Sequence, residues 1–426
     1  MRIMLLGAGG FIGRHVMSEL LAAGHDLVGV VRNQDGLKTA FPQARFLSLD
    51  LAQATDPQVW EAHLGGIDCI INAAGILRGA TMDEIHVQMP KALYCAAKQA
   101  GVKRVILISA VSAREDVTTD YSASKLAGEE VLRASGLGWT ILRPSLVYGE
   151  GSYGGTSLLR GMAAQPFFVP LPGNGEFAFT PIHVRDLARS VGLICGDEAF
   201  NGKTLEPVGP ETLSLRELLA RYRAWLGFGH ARFLPIPMPF MRLVGRMGDA
   251  LGNGPIATNS LAQLVAGNAG DSAAFTQAIG FAPRSLDRAL LSRPAEVQDR
   301  WHARFFFLAP AIKAMLVVLW LASAWLGFFH GSVATHAVIG GLGLPQGWAG
   351  SLRIGGSLLD LVVAAIVLLD RRACWSTIVQ LSAVLGYTIV IGSALPKLWL
   401  DPFGPLLKNL PILLLIGVHS VIGNKR

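Results

Sequence analysis

Cysteine is scarce: Cys69, Cys95, Cys195 and Cys374 are the only four in 426 residues. Their spacing fits neither a disulfide framework nor a metal-ligand set, so no cystine-stapled fold and no metal site are expected, and a reduced compartment suits them. Charge is thin as well, with 16% charged residues against about a quarter in an average soluble domain. Acids are the rarer sign, 30 against 37 basic residues, for a net charge of +7. No basic run with interleaved aromatics accompanies that excess, which argues against a nucleic-acid partner. Positive-inside loops and contact with anionic lipid account for it better. Internal repeats and low-complexity segments are also missing. Apolar residues, by contrast, make up 51% of the chain, with 49 glycines and a mean hydropathy of +0.42. The length allows two or three domains.

The first residues carry the strongest local signal. A short apolar strand, Met1 to Leu6, runs into Gly7-Ala8-Gly9-Gly10-Phe11-Ile12-Gly13, after which a helix begins. A turn of this kind aims backbone N–H groups at a pyrophosphate on the positive end of a helix, and needs residues without Cβ where the ligand comes close. Gly7, Gly10 and Gly13 have the spacing for it. The predicted fold is α/β, a Rossmann-type doubly wound parallel sheet. A second strand, Asp26–Val31, places Arg32 beside the adenosine ribose, where a carboxylate would bind both hydroxyls of NAD and a guanidinium would pair with a 2′-phosphate. Arg32 therefore favours NADP, with NAD and a merely solvated arginine as the alternative. Strands predicted over 46–51 and 69–75 bring Asp50 and Leu51, then Asn72, Ala73, Ala74 and Gly75, to the same crevice.

A fifth strand, 104–110, precedes Tyr121 and Lys125, which stand four apart on a predicted helix and so share a face. A nearby ammonium favours the phenolate, making the tyrosine a usable proton donor or acceptor for carbonyl–alcohol interconversion. With Leu142-Arg143-Pro144-Ser145-Leu146-Val147-Tyr148-Gly149 and Pro181-Ile182-His183-Val184-Arg185-Asp186-Leu187-Ala188, these motifs cover about the first 200 residues. Together they resemble the short-chain dehydrogenase/reductase superfamily, in its extended and atypical branch with the NmrA-like proteins and the NADPH-binding accessory subunit of complex I. The resemblance implies Tyr121 as acid/base, Lys125 as ribose ligand and modulator of Tyr121, and Pro144 and Ser145 along the nicotinamide pocket. This chain departs from it at Ala110, where active members usually carry Ser or Thr after the first Ser of that loop. Strand parity, if the extended geometry persists, puts Ser112 on the side of position 110 and favours it over Ser109 as the substrate-orienting hydroxyl.

From about residue 150 a substrate region is expected, with flexible turns at 149–155 and 171–175. His183 reads as a site residue or as a capping or core histidine. The segment 233–247, apolar with Pro and Arg, reads as a membrane-surface element or an ordinary substrate-domain helix. Residues 283–304 form the expected hinge between a 1–300 NAD(P)-binding domain and a 305–426 membrane domain.

Four apolar runs, 305–329, 354–369, 375–395 and 406–422, predict an all-α transmembrane four-helix bundle. Helix count, with the segments Ile354-Gly355-Gly356-Ser357-Leu358-Leu359-Asp360 and Ser393-Ala394-Leu395-Pro396-Lys397, resembles the DoxX-like membrane family. Arg300, Arg304, Arg371, Arg372, Lys425 and Arg426 fall on one side, while Arg353, Lys397 and Lys408 stand beside Asp401 on the other. That asymmetry predicts a multi-pass protein of the cell (inner) membrane with both termini and the N-terminal domain cytoplasmic. No signal peptide is expected. Asp360, inside an apolar run, reads as a proton or polar-substrate site or as a packing hydrogen bond, with Lys313 or Arg353 as partner.

Three functions follow from these readings. The first is a membrane-anchored, NADP-favouring oxidoreductase of a lipophilic carbonyl, alcohol or quinone drawn from the bilayer. The second, suggested by Ala110, is a non-catalytic NADPH sensor or assembly module of a membrane complex. The third is sugar-nucleotide epimerase or dehydratase chemistry.

Overall fold

The computed structural model describes residues 1–151, 154–250, 258–370 and 372–423. Ser152 and Tyr153 of the expected 149–155 turn, and Arg371, Lys425 and Arg426 of the expected cytoplasmic charges, lie outside the described residues. The chain divides into two compact units, Met1–Ala303 and Arg304–Arg426.

The first unit is built on a seven-stranded sheet. β1 (Arg2–Leu6), β2 (Asp26–Val31), β3 (Arg45–Ser48), β4 (Cys69–Asn72), β5 (Arg104–Ile108) and β6 (Gly138–Leu142) are joined by a strand at Lys203–Leu205. The spatial order is Lys203–Leu205, β6, β5, β4, β1, β2, β3, and every pairing is parallel. β4 and β5 are buried at every residue, as strands covered on both faces must be. In β1 alternate side chains enter opposite cores: Ile3 and Leu5 join Val16, Leu187 and Val191, whereas Met4 and Leu6 join Trp60, Leu93 and Tyr94. The chain winds one way from β1 through β2 and the other way through β4. The crevice at the carboxyl ends of β1 and β4 is therefore the topological switch point.

Several strands end earlier than the sequence suggests. Asp50 and Leu51 lie in a turn beyond β3, and Ala73 to Gly75 lie in the loop beyond β4. β5 stops at Ile108, and residues 111 and 112 form a turn, so the parity argument for Ser112 has no strand to act on. The 233–247 segment becomes a strand, Phe233–Ile236, parallel to Val169–Pro172, followed by a helix, Met238–Ala250.

The second unit is helical: Ser332–Gly341, Ala349–Leu369, Cys374–Ala394 and Asn409–Gly423 follow the long helix Val297–His330. Among the described residues three helices have the length and apolarity to cross a bilayer, Val297–His330, Gln346–Leu369 and Cys374–Ala394. The fourth predicted run yields a helix of 15 residues, about 22 Å at about 1.5 Å per residue. Pro402, Gly404 and Pro405 hold the chain in turns before it, which removes Leu406–Lys408 from the expected span. The helix Ser332–Gly341 occupies what the sequence presents as a loop. Leu316, Trp320, Val363, Val367, Val384 and Ile416 form the interior of this unit, and its outward apolar surface suits lipid rather than water. Asp360 is paired with neither Lys313 nor Arg353: it accepts hydrogen bonds from Ser323 Oγ at 2.6 Å and Tyr387 OH at 2.8 Å. Both partners come from neighbouring helices, which is the arrangement of the packing reading.

Candidate active site

The glycine turn at the end of β1 is glycine for steric reasons. Gly7 has φ +72°, and a Cβ there would stand 2.8 Å from the Ala73 carbonyl oxygen. A Cβ on Gly13 would stand 2.1 Å from the Gly7 carbonyl oxygen, so the first turn of α1 (Phe11–Ala22) packs directly on the loop. The Gly10 N–H donates to the Gly7 carbonyl at 2.9 Å, and a Cβ on Gly9 would stand 3.3 Å from the Leu37 side chain. α1 has no side-chain cap at Gly10 and no acid in its first turn. An anion would therefore meet uncapped amides and the positive helix end, which fits a dinucleotide pyrophosphate. Phe11 stacks edge-on with His15, and Ile12 packs on the core.

Around this crevice the remaining cofactor candidates divide. Arg32 is exposed one residue beyond β2, its carbonyl accepts from Ser48 Oγ at 3.0 Å, and its guanidinium has no partner among the described residues. Asp50 is exposed and receives the Ala52 N–H at 3.2 Å; Leu51 is partly buried. Asn72 is buried and braces the loop, donating to Tyr94 OH at 3.3 Å and accepting from the Ala74 N–H at 3.1 Å. Pro144 is buried with its carbonyl bonded to the Val111 N–H at 3.0 Å, and the Ser145 hydroxyl donates to the Asn268 carbonyl.

Tyr121 and Lys125 lie on the helix Asp120–Arg133, capped by Thr119, whose hydroxyl accepts the Ser122 N–H at 3.1 Å. The Ser122 hydroxyl in turn donates to the Ser112 carbonyl, tying the helix start to the loop after β5. Lys125 is buried and donates to the Ile108 carbonyl at 3.2 Å. A Cβ on Gly75 would lie 2.9 Å from Lys125 Nζ, so the lysine reaches the loop that follows β4. Burial pulls the Lys125 ammonium down to about 8, with Glu129 opposing. Burial likewise pushes the Tyr121 hydroxyl up to about 12. The expected ammonium-assisted phenolate is thus outweighed by desolvation, and Tyr121 is a neutral phenol near pH 7, a proton donor.

No sequence pattern marks His86. It sits on a π-helical turn, Glu84–Gln88, that presses on the Tyr121 helix at Gly128, where a Cβ would come within 2.3 Å of the His86 carbonyl. Its ring meets Tyr121 edge-on at 5.9 Å between centroids. Nε2 accepts the Ile76 N–H at 3.1 Å, which leaves the proton on Nδ1 to donate to Ser124 Oγ at 2.9 Å. Burial first, and Lys125 second, pull His86 down to about 3, so the ring is neutral. Only an irregular helix and a glycine create this contact, and neither has a periodic signature.

Of the two candidate hydroxyls, Ser109 donates to Glu129 Oε1 at 2.6 Å, and Ser112 is buried in the turn. Glu129 is itself fully buried, gripped by both arms of Arg143 at 2.8 and 2.6 Å and by Arg133 at 3.0 Å. His183 caps the helix Val184–Gly196, with Nδ1 accepting the Arg185 N–H at 3.3 Å, and burial pulls it down to about 4. It is a capping histidine.

Residues 7–163 match the NAD(P)H-binding family, and residues 317–417 match the DoxX-like family. The chain joins an NAD(P)-binding Rossmann domain to a DoxX-like membrane domain. The Rossmann domain is similar to a ceramide reductase of Caulobacter vibrioides, 27% identical over 58% of this chain and 77% of that protein. It is also similar to mouse mitochondrial NADH dehydrogenase [ubiquinone] 1 alpha subcomplex subunit 9, 26% identical over 55% of this chain and 63% of the subunit, just under two thirds of its length. Among solved structures, a nucleoside-diphosphate-sugar epimerase of Staphylococcus aureus superposes with a TM-score of 0.56 at 21% identity, over 68% of this chain and 99% of that one. At that identity the likeness speaks for the fold.

Proposed function

We propose that the protein is a membrane-anchored NAD(P)H-dependent oxidoreductase of the short-chain dehydrogenase type, NADP-favouring, acting on a lipophilic carbonyl, alcohol or quinone. The observation that carries this reading is the convergence of Tyr121, Lys125 and neutral His86 beside the loop that ends β4, next to an uncapped α1. The residues fit the cofactor: the turn 7–13 would take the pyrophosphate, Arg32 a 2′-phosphate, and Lys125 the nicotinamide ribose. A bound nicotinamide would supply or accept the hydride. Tyr121, a phenol near neutral pH, gives its proton to a carbonyl oxygen. Lys125, charged below about pH 8, stabilises the resulting phenolate electrostatically. His86 orients the helix through Ser124, whose hydroxyl also donates to the Tyr121 carbonyl at 2.9 Å. The lipid substrate named for the Caulobacter relative, and the helices of bilayer-crossing length, support a substrate drawn from the membrane. The basic residues flanking the helices support a cytoplasmic Rossmann domain and, with the 15-residue helix Asn409–Gly423 as a fourth crossing, cytoplasmic termini.

A second reading, a cofactor-binding sensor or membrane-complex module without turnover, draws on Ala110, on the commitment of Ser109 to Glu129, and on similarity to the mouse subunit. The two are separated by following NADPH absorbance with the full chain in detergent and a panel of long-chain aldehydes, ketones and quinones. Oxidation with at least one lipophilic acceptor is expected. Tight NADPH binding with no oxidation across the panel would support the second reading.

A further inference from the structure

Within the Rossmann domain the helix Met238–Ala250 presents an apolar face to the outside. At about 100° per residue, Met241, Gly245 and Gly248 fall within about 60° of one another. These three are buried, and a Cβ on Gly245 would already touch Thr258 at 3.4 Å. Phe240, Leu243 and Met247 form a second stripe within about 60°, turned away from the first, and they are 55%, 53% and 58% exposed. Arg242 and Arg246 border that stripe; both are exposed, and neither pairs with an acid among the described residues. The helix is seated by Met241 and two glycines and shows three large apolar side chains to solvent, where a surface helix ordinarily buries them.

The charge around it points one way. Of the five arginines between Glu217 and Asp249, Arg221 is paired with Glu211 and Asp287 and Arg223 is buried on backbone carbonyls, which leaves Arg232, Arg242 and Arg246 exposed with no acid paired to them among the described residues. The strand Phe233–Ile236 that leads into the helix pairs with Val169–Pro172, so exposed Leu234 and the exposed pair Phe167 and Phe168 extend the same kind of surface beside Arg232. Large exposed apolar side chains interleaved with unpaired arginines suit an interface with apolar depth and negative charge, which is what anionic headgroups over acyl chains provide.

We propose that the helix Met238–Ala250 docks on an anionic phospholipid surface, with Phe240, Leu243 and Met247 inserted at the acyl boundary and Arg242 and Arg246 on lipid phosphates. The occupant is the bilayer rather than a protein because the same chain carries helices of bilayer-crossing length, so this domain is tethered near headgroups at high effective concentration. The docking does not depend on turnover and stands apart from the assignment of Tyr121.

Hydrogen–deuterium exchange on the full chain tests it, in nanodiscs of phosphatidylcholine alone and of phosphatidylcholine with phosphatidylglycerol. Exchange across 238–249 should slow in the anionic discs by roughly fivefold per engaged arginine, and high salt should restore the faster rate. In R242E/R246E the difference between the two discs should vanish while the glycine turn at 7–13 keeps its exchange pattern. Equal exchange of the parent protein in both discs would overturn the proposal. So would protection that ignores lipid charge and grows with protein concentration, which would mark the face as a contact between two copies.

Discussion

A lysine buried on the Asp120–Arg133 helix lowers stability for as long as it keeps its proton. The folded pKa of Lys125, about 8, lies below its solution value of 10.5. The charged form is thus disfavoured by folding, the penalty is fully present below pH 8, and it fades as pH rises towards 10.5. Lys125→Met should accordingly raise the thermal midpoint at pH 7, and the gain should shrink between pH 8 and 10.5 while cofactor binding weakens throughout; a variant less stable than the parent at pH 7 would contradict the assignment. The proposed preference for NADP rests on Arg32. One guanidinium–phosphate contact corresponds to about 1.4 kcal/mol, so NADPH should bind about tenfold tighter than NADH, and Arg32→Asp should reverse the ranking by equilibrium titration. The positions of Arg32, one residue beyond β2, and of the Tyr121–Lys125 pair, on one helix, were legible because each is marked by a fixed spacing from a strand or along a helix. Ser112 was not, because its placement needed β5 to continue past Ile108, and the chain turns instead.

At the scale of elements, the strand–glycine turn–helix unit is the most constrained part of the domain. A side chain on Gly13 would collide with the Gly7 carbonyl, which cannot retreat because Gly7 is itself pressed against Ala73. Gly13→Ala should therefore weaken NADPH binding by tenfold or more, whereas alanine at Gly36, where a Cβ would meet nothing within 4 Å, should leave it nearly unchanged despite the strain of its positive φ. Titration of nicotinamide fluorescence in the two variants checks the contrast. The parallel strands β1 to β5 were readable as short apolar runs; β6 and the strand Lys203–Leu205 were not. The π-helical turn that brings His86 to Tyr121 was not readable, since it depends on Gly128 admitting a neighbouring backbone. Membrane helices were read from apolar length, and that criterion counted Leu406–Lys408 as helix where proline and glycine keep the chain in turns.

For the whole molecule, two domains of unlike chemistry share one chain, and on the proposed reading a substrate drawn from the bilayer links their roles. With Arg300 and Arg304 at the start of the first crossing, cysteine labelling of intact cells should fail at positions placed within 1–300 and succeed between 331 and 348. Labelling of the Rossmann domain from outside would reverse the orientation. Tyr121 is proposed to donate a proton during reduction of a lipophilic carbonyl or quinone. This step is tested most directly by single-turnover NADPH oxidation in proteoliposomes loaded with such an acceptor, comparing the parent chain with Tyr121→Phe. Loss of general acid catalysis should slow the step by about 100-fold or more while NADPH affinity stays within about twofold, because the phenol acts on the substrate and the turn at 7–13 holds the cofactor. Oxidation at the parent rate by Tyr121→Phe would contradict the account.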